Sequence, residues 1–225
     1  QSLNSIRDYI IFQDHHLVVC NKPAGLPVQE DLSKDPSLHR LLQAYCKQDL
    51  YLCHRIDRPV SGLVILTKNT ESAAFINDQL SKQLFSKEYL AIVEKKEIPT
   101  EGTLINKLLK SSQKKKSYIN DEDEDGKESI LNYKVIHVLD QYLVLNIKLS
   151  TGRFHQIRSQ LSFAGIPVRG DVKYGARRGN KDRSIGLHSW KTEFIHPSTK
   201  QPIKFEAPLP INDIWPVVQQ LITAS

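Results

Sequence analysis

The stretch His54-Arg55-Ile56-Asp57-Arg58-Pro59-Val60-Ser61-Gly62, running straight into Leu63-Val64-Ile65-Leu66, governs the reading of the whole chain. Pro59 and Gly62 interrupt regular structure, and the apolar, β-branched run behind them predicts a buried strand. One carboxylate, Asp57, therefore sits on a short loop at the mouth of a sheet, a place where proteins often mount chemistry. Arg55 and Arg58 flank it. A nearby positive charge lowers a carboxylate pKa, so the pattern predicts an ionised Asp57 and a foothold for a polyanion. An exposed Arg–Asp pair is nearly neutral in energy by itself. The case for chemistry at this loop must come from the rest of the chain.

Upstream, Tyr9–Phe12 and Leu17–Cys20 bracket Gln13-Asp14-His15-His16 and predict a hairpin. Asn21-Lys22-Pro23-Ala24-Gly25-Leu26-Pro27-Val28 is a loop punctuated by proline and glycine. Pro36–Lys47 has a helical period, with Leu38, Leu41, Leu42 and Tyr45 on one face and His39 and Arg40 on the solvated side. Downstream of the loop, Asn69–Leu84 predicts a second helix. Asn69 or Thr70 caps it, and Ala73, Ile76, Leu80 and Leu84 face inward. Lys87–Val93 alternates as a strand, placing Tyr89, Ala91 and Val93 on one side.

Gly102–Lys127 carries the weakest pattern. Lys114-Lys115-Lys116 precedes the acidic run Asp121–Asp125, and the segment reads as an exposed hairpin tip or mobile loop with solvated charges. Its carboxylates are consecutive rather than alternate, which does not suit a calcium loop. Leu131–Leu139 and Tyr142–Leu149 form the clearest hairpin signal. Thr151–Gly165 predicts a helix with Ile157, Leu161 and Ala164 inward and Arg158 at the stripe's edge, where arginines usually snorkel. Asp213–Ile222 predicts a final short helix, with Pro216 tolerated in its first turn. Hairpins alternating with a few helices define an α+β class: a mixed, mostly antiparallel β-sheet with peripheral helices.

The chain has 225 residues, enough for one large domain or two small ones with a real core. No run approaches the roughly 18 apolar residues of a membrane helix. The opening Gln1-Ser2-Leu3-Asn4-Ser5 has no secretory pattern and no initiator methionine, as in a processed or excerpted chain. Lysine and arginine number 31 against 25 acidic residues, a net charge of +6 that suits a polyanionic partner. Three cysteines, Cys20, Cys46 and Cys53, form no CxxC pair and fit a reducing, cytoplasmic setting.

Several segments together resemble one family. His54-Arg55-Ile56-Asp57-Arg58-Pro59-Val60-Ser61-Gly62 is similar to the HRLDxxTSG signature of the RluA-type RNA pseudouridine synthases, with Val60 at the usual threonine. Asn21–Val28 resembles the NKPxG segment that opens their catalytic domain, and Lys87-Glu88-Tyr89-Leu90-Ala91 resembles KxYLA. Thr151-Gly152-Arg153-Phe154-His155-Gln156-Ile157-Arg158 resembles TGRxHQIR, with Phe154 at a position usually Thr or Ser. Gly165–Gly175 resembles the GhPixGDxxYG turn. Leu187-His188, His196-Pro197 and Ala207-Pro208-Leu209-Pro210 complete the order. The match runs from Tyr9 to Pro210 and resembles a catalytic core without the small N-terminal RNA-binding domain of many relatives.

The resemblance implies a pseudouridine synthase fold with its sheet in two halves and an active-site cleft across it. It implies isomerisation of uridine to pseudouridine in ribosomal or transfer RNA, by a monomer needing neither cofactor nor metal. Asp57 becomes the catalytic residue, with Arg158 its ion-pair partner and Tyr89 against the target base. Arg55 is suited to fill the stack left by a flipped-out nucleotide, being planar and cationic. Whether the carboxylate attacks the uracil, attacks the sugar or removes a sugar proton, it must be ionised. The basic cluster Arg169, Lys173, Arg177, Arg178, Lys181 and Arg183 is the most credible phosphate patch. Two readings compete. A catalytically inactive RNA-binding protein of the same fold would not need Asp57, Tyr89 and Arg158 together. A metal-dependent hydrolase would need ligand spacing that the eight histidines do not show.

Overall fold

The computed structural model describes residues 5–224. The opening residues 1–4, on which the reading of the N-terminus partly rests, lie outside them. In chain order the strands are β1 (Ile10–Gln13), β2 (Leu17–Lys22), β3 (Tyr51–Leu52), β4 (Ser61–Thr67), β5 (Ser86–Glu94), β6 (Glu101–Ser111), β7 (Lys116–Ile119), β8 (Lys127–Val138), β9 (Tyr142–Leu149), β10 (Leu187–Ile195) and β11 (Pro202–Glu206). The α-helices are α1 (Leu38–Cys46), α2 (Thr70–Ser81), α3 (Gln156–Phe163) and α4 (Trp215–Thr223). The chain forms two compact units, residues 1–87 with 189–219, and residues 88–188 with 220–225. Among the described residues no helix is long and apolar enough to cross a membrane.

In the first unit the strand order is β1-β2-β4-β10, with β3 on β4 and β11 on β10. β2 and β4 run antiparallel from Leu17↔Thr67 to Lys22↔Gly62. All seven residues of β4 are buried, and so are Leu17 to Cys20 of β2. Continuous burial, rather than alternation, marks strands covered on both faces. Leu17, Val19, Leu63 and Ile65 meet Ile76 of α2, Phe85 and Phe194 in one cluster, and the last two rings stack at 4.7 Å. Gly62 has φ +112°, and a Cβ there would lie 2.1 Å from the Ser189 carbonyl oxygen, so glycine is what lets the strand approach. Both predicted helices form. Asn69 caps α2 by accepting from the Ser72 N–H at 2.8 Å. The expected inward faces are too long, however. Tyr45 is 41% exposed in the last turn of α1, and Leu84 is 62% exposed because α2 ends at Ser81 and the chain turns at Gln83 (φ 58°).

The second unit orders its strands β5-β9-β8-β6-β7, all antiparallel. The predicted hairpin is β8–β9, closed by the Leu139 N–H donating to the Tyr142 carbonyl. The segment read as a tip or mobile loop instead contains the eleven-residue β6 and the start of β8, paired from Glu101↔Lys134 to Leu108↔Lys127. Only Leu108 of β6 is fully buried, which explains the faint apolar period. The acidic run is folded too: Asp121 Oδ1 accepts from the Lys107 N–H at 2.7 Å.

α3 departs most from expectation. It starts at Gln156, after His155 in the left-handed region (φ 53°), and not at Thr151. Thr151 Oγ1 accepts from the Ile130 N–H and bonds Gln156 Oε1, each at 2.9 Å, so residues 151–155 make a tied loop. Gln156 to Leu161 are all buried, with no solvated stripe. The polar members are satisfied at a distance. Gln160 Nε2 donates to the carbonyls of Leu104 and Ser129, and Ser159 Oγ to that of Ser117.

Candidate active site

The segment between β3 and β4 carries Asp57, half-buried, in a turn closed by the Val60 N–H donating to the Asp57 carbonyl at 3.0 Å. Two groups fix the turn from below. Lys22, at the end of β2, is fully buried. Its ammonium donates to the carbonyls of Pro23 (2.9 Å), Leu26 (2.8 Å) and Arg58 (3.2 Å). Three N–H groups thus meet three acceptors, which joins the Asn21–Val28 loop to the loop that carries Asp57. The Gly25 N–H adds a bond to the Arg58 carbonyl at 2.8 Å. Burial pushes the Lys22 ammonium down to about 7, while the nearby Asp57 carboxylate pulls it back up. His54 Nε2 accepts from the Ile65 N–H at 3.2 Å, so the proton resides on Nδ1, which has no partner among the described residues. Burial holds this imidazole neutral, with its pKa pushed down to about 3.

Of the two arginines beside Asp57, Arg58 departs from the sequence expectation. Arg58 does not present its charge to a polyanion. Its guanidinium bonds Asp31 (3.1 Å) and Asp35, and its Nε donates to the Gly25 carbonyl. Hydrogen bonds from Arg58 and Ser33 in turn hold both carboxyls below their usual range. Arg55 is exposed and donates to Gln29 Oε1 at 2.8 Å.

In the second unit Tyr89 is 7% exposed on β5, in register with Ile147 of β9. Arg158 is 4% exposed and does not snorkel. A buried guanidinium requires a counter-charge, and Asp171 supplies it through a fork: Nε to Oδ2 at 2.7 Å and Nη2 to Oδ1 at 2.9 Å. The Tyr174 ring lies 4.9 Å from the guanidinium carbon. Tyr174 Oη accepts from the Ser117 N–H at 2.9 Å and bonds His155 Nδ1 at 2.8 Å. Asp171 and Tyr174 belong to the Gly170-Asp171…Tyr174-Gly175 turn, whose sequence by itself assigns no role to either side chain. Within the first unit, Asp57 is thus brought near Lys22, while Arg55 bonds Gln29; within the second, Arg158 is gathered with Asp171 and Tyr174.

A carboxylate mounted on a braced loop beside a buried cation is fitted to general-base or nucleophilic work on a bound polymer. A family model described as RNA pseudouridylate synthase matches residues 16–163, and the chain belongs to this family of isomerases. It is 33% identical to ribosomal large subunit pseudouridine synthase C of Rickettsia prowazekii over 215 residues, covering 91% of this chain and 69% of that one. It is 31% identical to the protein of the same name from Vibrio vulnificus, covering 97% and 71%. The fold is that of human RNA Pseudouridylate Synthase Domain Containing 1, with TM-score 0.76 and 21% identity over 99% of this chain and 98% of that one.

Proposed function

We propose that Asp57 is the catalytic carboxylate for converting uridine to pseudouridine in large-subunit ribosomal RNA. The reading carries over from the relatives' names and the motif around Asp57. The observation that carries it furthest is the braced turn: Lys22 and the Asp57–Val60 bond fix the backbone at the aspartate. The reaction balances without a co-reactant. The N1–C1′ bond of uridine breaks, the uracil turns, C5 bonds C1′, the C5 proton leaves and N1 takes one up. Asp57 must be ionised for its part. Arg158 is proposed to keep it so, Tyr89 to lie against the uracil, and Arg55 to occupy the stack vacated by the flipped nucleotide. The whole chain, residues 1–225, acts as one catalytic domain, as a monomer in the cytoplasm.

The purified protein is incubated with a large-subunit ribosomal RNA transcript tritiated at uracil C5. Release of tritium to water, with pseudouridine in the digest, is expected. No release from that transcript overturns the substrate assignment.

A further inference from the structure

We propose that the tip of the β6–β7 hairpin, with Lys173, binds a backbone phosphate of the RNA substrate. The inference rests on RNA being the substrate. The hairpin separates its charges along its length. The acidic run 121–125 is tied back at Lys107, whereas Lys110, Lys114, Lys115 and Lys116 occupy the other end. Among the described residues none of these four lysines forms an ion pair with a carboxylate.

The tip is also anchored. Lys110 Nζ lies 4.9 Å from the Phe154 ring centre, and Lys116 Nζ 4.5 Å from that of Tyr174. Lys173 Nζ donates to the Lys115 carbonyl. Ser117 Oγ donates to the Phe154 carbonyl at 2.6 Å, and Phe154 stacks on His155 at 3.8 Å. Aromatic faces hold ammonium groups favourably. A lysine already held loses less rotamer freedom on binding than one sweeping through solvent. The cations act on one point: the His155 imidazole is pushed down to about 3 by burial and then by Arg158, Lys173, Lys110 and Lys116. Among the described residues neither Lys110 nor Lys116 meets a carboxylate, so these two remain as excess positive charge. A phosphodiester supplies a matching anion, and a polyanion bound there releases counterions. The lysines that the sequence suggested were plain solvated charge thus make a site, beside a Phe154 whose departure from the family's usual residue had no evident purpose.

The test uses binding, not turnover, in an Asp57→Asn background. Affinity for the ribosomal transcript is followed by anisotropy across a potassium chloride series. Lys110→Gln/Lys116→Gln should weaken binding about tenfold at moderate salt and flatten the log–log salt slope by about 1.5, roughly 0.7 to 0.9 per lost contact. Lys110→Arg/Lys116→Arg should keep the slope. An unchanged slope in the glutamine pair overturns the site. So does an equal fall on Lys204→Gln in the first unit, or no binding by the parent. A missing tritium signal from the intact enzyme would sink the substrate reading instead, and is read separately.

Discussion

Arg58 and Arg158 each meet carboxylates, under opposite conditions. Arg58 spreads its guanidinium over Asp31 and Asp35 at the surface, with 40% of its side chain exposed. Arg158 makes one forked pair with Asp171, with side chains only 5% and 1% exposed. In water the first arrangement is screened and contributes little. In the interior the second must be complete, because either partner alone is an uncompensated buried charge. The lesson is that two arginines in family-like motifs do different work. One dresses a loop; the other is built into the fold beneath its helix.

The largest effect should follow from halving the buried pair. Asp171→Asn or Arg158→Met is expected to destabilise by about 3–5 kcal/mol in denaturant unfolding. The double variant Arg158→Met/Asp171→Leu should recover much of that loss while remaining inactive on RNA. Additive losses would show that the pair is not a unit.

Lys22→Met comes next. It leaves the carbonyls of Pro23, Leu26 and Arg58 without this donor, at an expected total of about 1–3 kcal/mol. Its pH signature has a definite sign. The Lys22 pKa is near 7 when folded and at the ordinary lysine value of 10.5 when unfolded, so the unfolded chain binds more protons between those values. Lys22 therefore makes stability rise with pH across that window. The methionine variant should lose that contribution, as urea midpoints at pH 7 and pH 9.5 would show. A parallel shift of both proteins would contradict it.

The smallest effect belongs to Arg58→Ala, expected to stay within about 1 kcal/mol. A loss as large as that of Arg158→Met would erase the contrast between the two arginines.

The elements read most directly from sequence were those that bury apolar side chains continuously or end in a clear turn: β2, β4 and the β8–β9 hairpin. β6 was hidden because one face meets water and only Leu108 is fully buried. α3 was mistaken for an amphipathic helix because Gln156, Ser159 and Gln160 are polar yet buried, and their partners lie far off in sequence. At the site, Asp57 and its loop could be recognised from residue types in order. Lys22 could not, since a lysine before a proline looks solvated until three carbonyls close around it. Nor could Asp171, whose partner is known only once the turn after α3 folds back. Arg58 misled for the reverse reason: adjacency to Asp57 in sequence says nothing of where a long side chain turns.

The central claim is that the Asp57 carboxylate performs the isomerisation, and Asp57→Asn tests it most directly. The variant should form no pseudouridine in the ribosomal transcript over many parental turnover times, yet bind that RNA and unfold much as the parent does. Pseudouridine appearing at a parental rate would contradict the account.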